Sequence, residues 1–295
     1  MFTTLIAVIA AVALGHVAPG LLAALRPDLA WRALLAWLGE RFGEDGGWGG
    51  RYGLVALLLP PLLLVLLLQW GLGRVLWGLP GMLFGVLVLL LCWGPRDLDV
   101  DVEAVLDADD PQARHARLQE LSPQPGQGVG EGPVLAGPLL RSALRRWFAP
   151  LFWFLLLGPA GALMYRLVER SAIHAQVLPA DNAAGAWAWL RALEWPLAQL
   201  MTLTLALVGN FDLVYRAWRG AGGDEPRLES GFLEAAARAA VSGELEEEAE
   251  DYRLEGRMVV PDEMPELRDA MSLVWRMLLL WLALLALLVI AGWVG

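Results

Sequence analysis

Six stretches of this chain carry no charged side chain for about 17 to 25 residues each: positions 1–25, 52–73, 75–95, 147–165, 195–211 and 277–295. An apolar helix of about 20 residues rises far enough to cross a hydrocarbon layer of about 30 Å, and it satisfies its own backbone polar groups while doing so. The pattern therefore predicts an all-α fold, a polytopic membrane helix bundle of about six transmembrane helices plus amphipathic interfacial and cytoplasmic helices. A single membrane domain over 1–295 is expected. The first run lacks a cationic start and meets His16 and Pro19 before any small-x-small site, so it reads as a retained helix. Trp70, Trp77, Trp93, Trp147, Trp195, Trp275 and Trp293 fall near run ends, where indoles favour the headgroup layer.

Arginine distribution sets the expected orientation, because cationic loops resist translocation. The connections 26–51, 96–146 and 212–276 carry four, six and eight arginines, whereas Arg74 stands alone between the second and third runs and the fourth connection carries Arg166, Arg170 and Arg191. These three loops are predicted to be cytoplasmic and both termini periplasmic, in a bacterial inner membrane. The first connection contains an amphipathic stretch with Asp28 as N-cap and Leu34, Leu35, Leu38 and Phe42 at helical spacing. A glycine-rich return over 43–50 follows. Asp109-Asp110-Pro111 reads as a helix start, 228–241 as helix, and Pro261 and Pro265 as the entry to the last helix, with Asp262 or Met264 near its cap. The cytoplasmic connections are poor in large apolar side chains, so they are expected to pack as a cap on the bundle rather than as a domain.

Charge and composition narrow the chemistry. The net charge is −10, and much of it comes from the run Glu244, Glu246, Glu247, Glu248, Glu250 and Asp251. Helical spacing puts Glu244, Glu247, Glu248 and Asp251 on one face, but without a histidine or fixed turn that face reads as solvated and no metal site is assigned. No basic patch with interleaved aromatics is present, which argues against nucleic acid as a partner. The chain has no lysine, so a Walker-type phosphate loop, a Schiff base and a lysine nucleophile are excluded. Cys92, the single cysteine, lies within the third run and is expected to pack. His16, His115 and His174 are too far apart in sequence to show a metal spacing. No cofactor is expected.

Ionisable groups at membrane depth are functional candidates because placing them in lipid is costly. Arg145, Arg146, Arg166, Arg170 and Arg276 stand at run edges, where they can snorkel, and this structural reading is the favoured one. Arg166 and Glu169 sit three apart, as do Arg191 and Glu194, and each couple is expected to pair on a helix face. Gly158-Pro159-Ala160-Gly161 lies inside the fourth run and permits either a kink or close helix packing, with packing favoured. No catalytic residue is assigned. The candidate ligand- or partner-binding residues are Arg145, Arg146, Tyr165, Arg166, Glu169 and Glu194.

The segment Ala149-Pro150-Leu151-Phe152-Trp153, continuing through Leu157-Gly158-Pro159 to Met164-Tyr165-Arg166, resembles the APLF(F/W) helix of AmpE and of the cobalamin-pathway proteins of CobD/CbiB type. Leu193-Glu194-Trp195-Pro196-Leu197, opening a run that ends Leu207-Val208-Gly209-Asn210, is similar to an AmpE segment. CobD/CbiB proteins, membrane synthases that join an amino-alcohol unit to the corrinoid side chain, resemble each other in an acidic and amide-rich run just before APLF. Here that stretch, Leu139 to Phe148, carries no carboxylate and no amide. This difference favours the AmpE branch. The leading expectation is a non-catalytic inner-membrane accessory or signalling protein of β-lactamase induction, acting beside peptidoglycan recycling, with the lipid bilayer and a protein at the cytoplasmic loops as partners and an unknown ligand. One alternative is a CobD/CbiB-like membrane synthase forming an amide bond to a corrinoid side chain. Another is a small-solute or lipid carrier, supported only by the Gly-Pro break.

Overall fold

The computed structural model describes residues 8, 9, 11, 31, 33–37, 53–72, 79–93, 98–121, 135–254 and 264–291. Eleven α-helices are complete among them: α1 (Gly53–Leu72), α2 (Leu79–Cys92), α3 (Leu98–Leu106), α4 (Pro111–Leu121), α5 (Ala136–Ala143), α6 (Ala149–Leu157), α7 (Pro159–Ile173), α8 (Ala180–Val208), α9 (Phe211–Gly220), α10 (Gly231–Leu254) and α11 (Pro265–Ile290). A π turn, Leu144–Phe148, precedes α6, and a 3₁₀ turn, Ala175–Val177, follows α7. Every regular element among the described residues is helical, as the apolar periodicity predicts. The expected first span, the cap at Asp28, the glycine-rich return and Asp262 lie outside the described residues, apart from Val8, Ile9 and Ala11 in the span.

The chain forms two compact units. The first comprises residues 1–95, 147–194 and 287–295. Here α7 packs on α6, α1 and α2, and α2 also meets α6 and α1. Gly85 lets α2 approach α6 closely, since a Cβ there would stand 3.3 Å from the Phe154 ring. On α1 only Gly53, Leu54, Leu57 and Leu58 are buried, while Leu63, Leu64, Leu67 and Trp70 are largely exposed. Such an apolar outer surface suits hydrocarbon rather than water.

The second unit comprises residues 96–146 and 195–286. Its organiser is α10, which packs on α9 and α5, while α4 joins α3 to α5. The packed face of α10 is built of small side chains, Ala236, Ala237 and Ala240, all fully buried. Close approach follows, and a Cβ on Gly137 of α5 would come within 3.0 Å of the Glu234 side chain. Pro111 opens α4 in the position where its missing N–H costs nothing, and the Asp110 carboxylate accepts from Ala113 N–H at 3.1 Å. Arg114 turns back to donate to the Ala108 carbonyl at 2.8 and 3.1 Å. Met264, with φ 66°, makes the turn that starts α11 at Pro265.

Two described helices are long and apolar enough to cross a membrane, α1 with 20 residues and α11 with 26, and the apolar α2 is shorter. The six-run pattern is thus realised as an all-helical chain with two clear candidate spans. The expected fourth span is divided at Gly158, and the fifth is the second half of α8, whose first half begins at the polar Ala180-Asp181-Asn182.

Candidate functional site

The division of the fourth run is a real break, not the close packing favoured from its sequence. Gly158 adopts φ 71° and ψ −158°, a region only glycine enters without strain, and Pro159 then opens α7. A helix broken in this way frees backbone groups. Gln69 of α1 takes two of them: its side-chain N–H donates to the Leu157 carbonyl at 3.4 Å, and its carbonyl accepts from Ala160 N–H at 3.2 Å. Gly158 also supplies the room for this, because a Cβ there would lie 2.6 Å from Gln69 Nε2.

Beyond the break, α7 carries Tyr165, Arg166 and Glu169, all of them buried. Arg166 and Glu169 form the ion pair expected from their spacing. Arg166 also donates through Nε, at 2.8 Å, and Nη2 to the Cys92 carbonyl, the last residue of α2. A guanidinium there satisfies a terminal carbonyl and matches the negative end of the helix dipole. Glu194 is 2% exposed, and it accepts from the Tyr165 hydroxyl at 3.3 Å. The expected Arg191–Glu194 pair is not the contact made, since Arg191 donates to its own helix at the Trp187 carbonyl. Four of the six candidates, Tyr165, Arg166, Glu169 and Glu194, therefore belong to buried polar contacts of the first unit. Their burial corrects the snorkelling expected of Arg166.

Arg145 and Arg146 lie on the π turn in the second unit. A π turn here suits Pro150, which has no N–H to return to a carbonyl in the preceding turn. Arg145 is buried at 3% exposure rather than snorkelling, and Arg146 pairs with Asp101 of α3. One turn earlier, Arg141 donates to Glu234 of α10 at 2.5 Å and to the Ser230 hydroxyl at 3.0 Å. The stretch without carboxylates is thus met by carboxylates from two other helices. Asp101 and Glu234 went unseen in the sequence because they are remote from this stretch in the chain.

The acidic run on α10 has a specific contact at one end. Glu244 binds Arg276 of α11 at 2.5 Å. Burial holds its carboxyl above the ordinary carboxylate range against the pull of Arg276, and the Glu248 and Glu247 charges add to the rise. No cluster of metal-ligating side chains occurs among the described residues.

A cavity of about 550 Å³ opens in the second unit between α8 and α9. One wall is the α8 face from Pro196 to Ala206, and the other is formed by Val214 and an aromatic row on α9. Phe211 stacks on Tyr215 with ring centroids 6.1 Å apart, and Tyr215 lies 5.7 Å from Trp218. The row is anchored where the Trp218 indole N–H donates to Gln199 at 2.9 Å and Gln199 donates to the Gly223 carbonyl at 2.7 Å. These bonds make α9 fold back along α8. No sequence motif announced the cavity; its one signal was aromatic spacing at 211, 215 and 218.

The chain is similar to the cobalamin biosynthesis protein CobD of Stutzerimonas stutzeri (strain A1501), with 29% identity over 289 residues, 90% of this chain and 91% of that protein. It is also similar to the cobalamin biosynthesis protein CobD of Chromobacterium violaceum, with 30% identity over 174 residues, 56% of this chain and 54% of that protein. No protein-family profile matches the chain, and no solved structure does. These relatives overturn the expectation of an AmpE-type signalling role in β-lactamase induction. That expectation leaned on the missing carboxylates between Leu139 and Phe148, on an acidic pair reduced to Glu194 and on a missing glycine-rich segment around Arg253 to Pro261. In the first of these stretches Arg146 and Arg141 pair with Asp101 and Glu234.

Proposed function

We propose that this chain acts in cobalamin biosynthesis as a membrane synthase of CobD type, forming an amide bond between an amino-alcohol unit and a carboxyl of the corrinoid side chain. The observation that carries this reading is similarity to a CobD protein over nine-tenths of both chains. In the same reading the protein is a multi-pass inner-membrane protein whose cytoplasmic side comprises loops 26–51, 96–146 and 212–276. The apolar outer surfaces of α1 and α11 support the membrane assignment.

Amide formation requires the corrinoid carboxyl to arrive activated by a nucleoside triphosphate co-substrate, as an acyl phosphate or acyl nucleotide whose phosphate-bearing group leaves with the carboxyl oxygen as the C–N bond forms. Glu194 is the carboxylate best placed to accept the amine proton in that step, because it is buried and oriented by the Tyr165 hydroxyl. Arg166 and Glu169 serve mainly to hold α7 against the end of α2. The carrier alternative loses support, because the backbone groups freed at Gly158 are taken by Gln69 instead of facing a solute.

The test is deletion in the native host, scored for growth dependent on added cobalamin or cobinamide. A requirement restored by the intact gene supports the reading, and restoration by a Glu194→Gln gene would remove Glu194 from the chemistry. Growth of the deletion strain without any corrinoid, on a medium that demands one, overturns the reading.

A further inference from the structure

The break at Gly158 turns the chain back on itself. In a continuous helix, positions 153 and 161 would stand about 12 Å apart along the axis. Here a Cβ on Gly161 would fall 2.3 Å from the Trp153 carbonyl oxygen and 2.6 Å from the Leu157 Cβ, and α6 packs against α7 instead of leading straight into it. The two helices form a hairpin with Gly158 at its tip. Gln69 covers that tip by bonding the Leu157 carbonyl and the Ala160 N–H, which is the condition for irregular backbone at membrane depth. The tip also stops part way along its neighbour. A Cβ on Gly85 would lie 3.3 Å from the Phe154 ring and 3.8 Å from the Pro159 side chain, so the tip stands beside the middle of α2. With nine residues, α6 rises about 13 Å, well short of a hydrocarbon core about 30 Å thick.

Both arms of the hairpin lead to the same connection. The incoming arm starts at Trp147, directly after 96–146. On the outgoing arm Arg166 donates through Nε, at 2.8 Å, to the carbonyl of Cys92, four residues before that connection begins. Seven residues separate Gly85 from Cys92, and seven separate Pro159 from Arg166, so α7 runs alongside α2 toward the face from which α6 entered. The charges agree with this course. Arg166, Arg170 and Arg191 follow the tip, and cationic segments resist translocation.

We propose that 147–173 is a re-entrant hairpin that enters and leaves at one membrane face, which places the segment 174–193 and the Tyr165–Glu194 contact on the same side as the connection 96–146. The fourth run then makes no crossing. Arg141 pairs with Glu234, so the connections 96–146 and 212–276 share a face as well. Consistently, α8, which joins the hairpin to 212–276, is not one of the described helices long and apolar enough to cross. The consequence for chemistry rests on the synthase reading and on 96–146 being cytoplasmic: the amine, the corrinoid carboxyl and its nucleoside triphosphate all reach Glu194 from the cytoplasm.

The experiment uses the unaltered full chain, in spheroplasts that present the periplasmic face and in inverted vesicles that present the cytoplasmic face. Each is treated with a membrane-impermeant quaternary-ammonium carbodiimide and taurine, and the modified carboxylates are mapped by mass spectrometry. Asp181, exposed at the start of α8, reports on the segment after the hairpin, and the exposed Asp109 and Asp110 report on 96–146. Modification of all three in inverted vesicles and of none in spheroplasts is the expected result. Asp181 modified in spheroplasts while Asp109 and Asp110 are spared overturns the hairpin, as does Asp181 spared in both preparations while the other two react. All three modified only in spheroplasts retains the hairpin and overturns access from the cytoplasm. Growth of the deletion strain is blind to sidedness, so the hairpin and the synthase reading fail separately.

Discussion

Gln69 is the only hydrogen-bonding amide in the apolar helix α1, and its contacts across the Gly158 break make it the most informative single residue to change. Gln69→Met keeps length and approximate volume while removing both donor and acceptor. The N–H of Ala160 then has no partner, and the Leu157 carbonyl loses a longer, weaker bond at 3.4 Å. Stranding a buried donor costs about 1–3 kcal/mol, whereas polar contacts between membrane helices measure nearer 0.6 kcal/mol on average and reach about 1.7. Gln69 is half-buried, so the lower range applies. A loss of about 1–1.5 kcal/mol is expected, roughly five- to thirteenfold in the folding equilibrium. The assay is reversible unfolding in mixed micelles titrated with SDS, with Leu68→Met as a control on a neighbouring exposed side chain. A Gln69→Met protein within about 0.3 kcal/mol of the parent refutes the account, because that is the scatter expected of sites with no interaction.

Other perturbations test separate parts of the fold. Gly161→Ala should cost more than about 2 kcal/mol, since its Cβ would fall 2.3 Å from the Trp153 carbonyl oxygen, and the same titration reads it. Arg141→Met should cost about 1–3 kcal/mol by leaving Glu234 and Ser230 without their partner, and Glu234→Gln should cost less; thermal melts in detergent distinguish them. Glu244 binds its proton more tightly folded than unfolded, so its contribution to stability falls as pH rises through and above its ordinary value of 4.5. Melting temperature against pH should therefore drop less steeply across that window in Glu244→Gln than in the parent.

Much of the architecture was legible because apolar runs and proline positions act locally. The run 52–73 became α1 within a residue at each end, Asp110-Pro111 opened α4, and Pro265 opened α11. The Arg166–Glu169 pair followed from a spacing of three on one helix. What stayed hidden was contact across the chain. Gln69 and Gly158 meet over 89 positions, and Arg141 meets Glu234 over 93, so neither pairing leaves a periodic trace. The misjudged branch of relatives rested on a local lack of carboxylates in a stretch whose arginines find their acidic partners on remote helices. Glu194 stands out in the sequence as a polar group at a run edge, yet the contact it makes is with Tyr165 on another helix and not with Arg191 on its own.

The sole cysteine is buried to 1% exposure where Arg166 caps its helix, and every cation on a side chain is arginine or histidine. The natural chain is therefore nearly silent toward thiol reagents in its folded state and offers amine reagents no side chain at all. A cysteine placed in any connection would be the one accessible thiol on an otherwise inert background. Reagents that cannot cross a bilayer would then report directly which loops face the cytoplasm, with no need to strip out competing residues first.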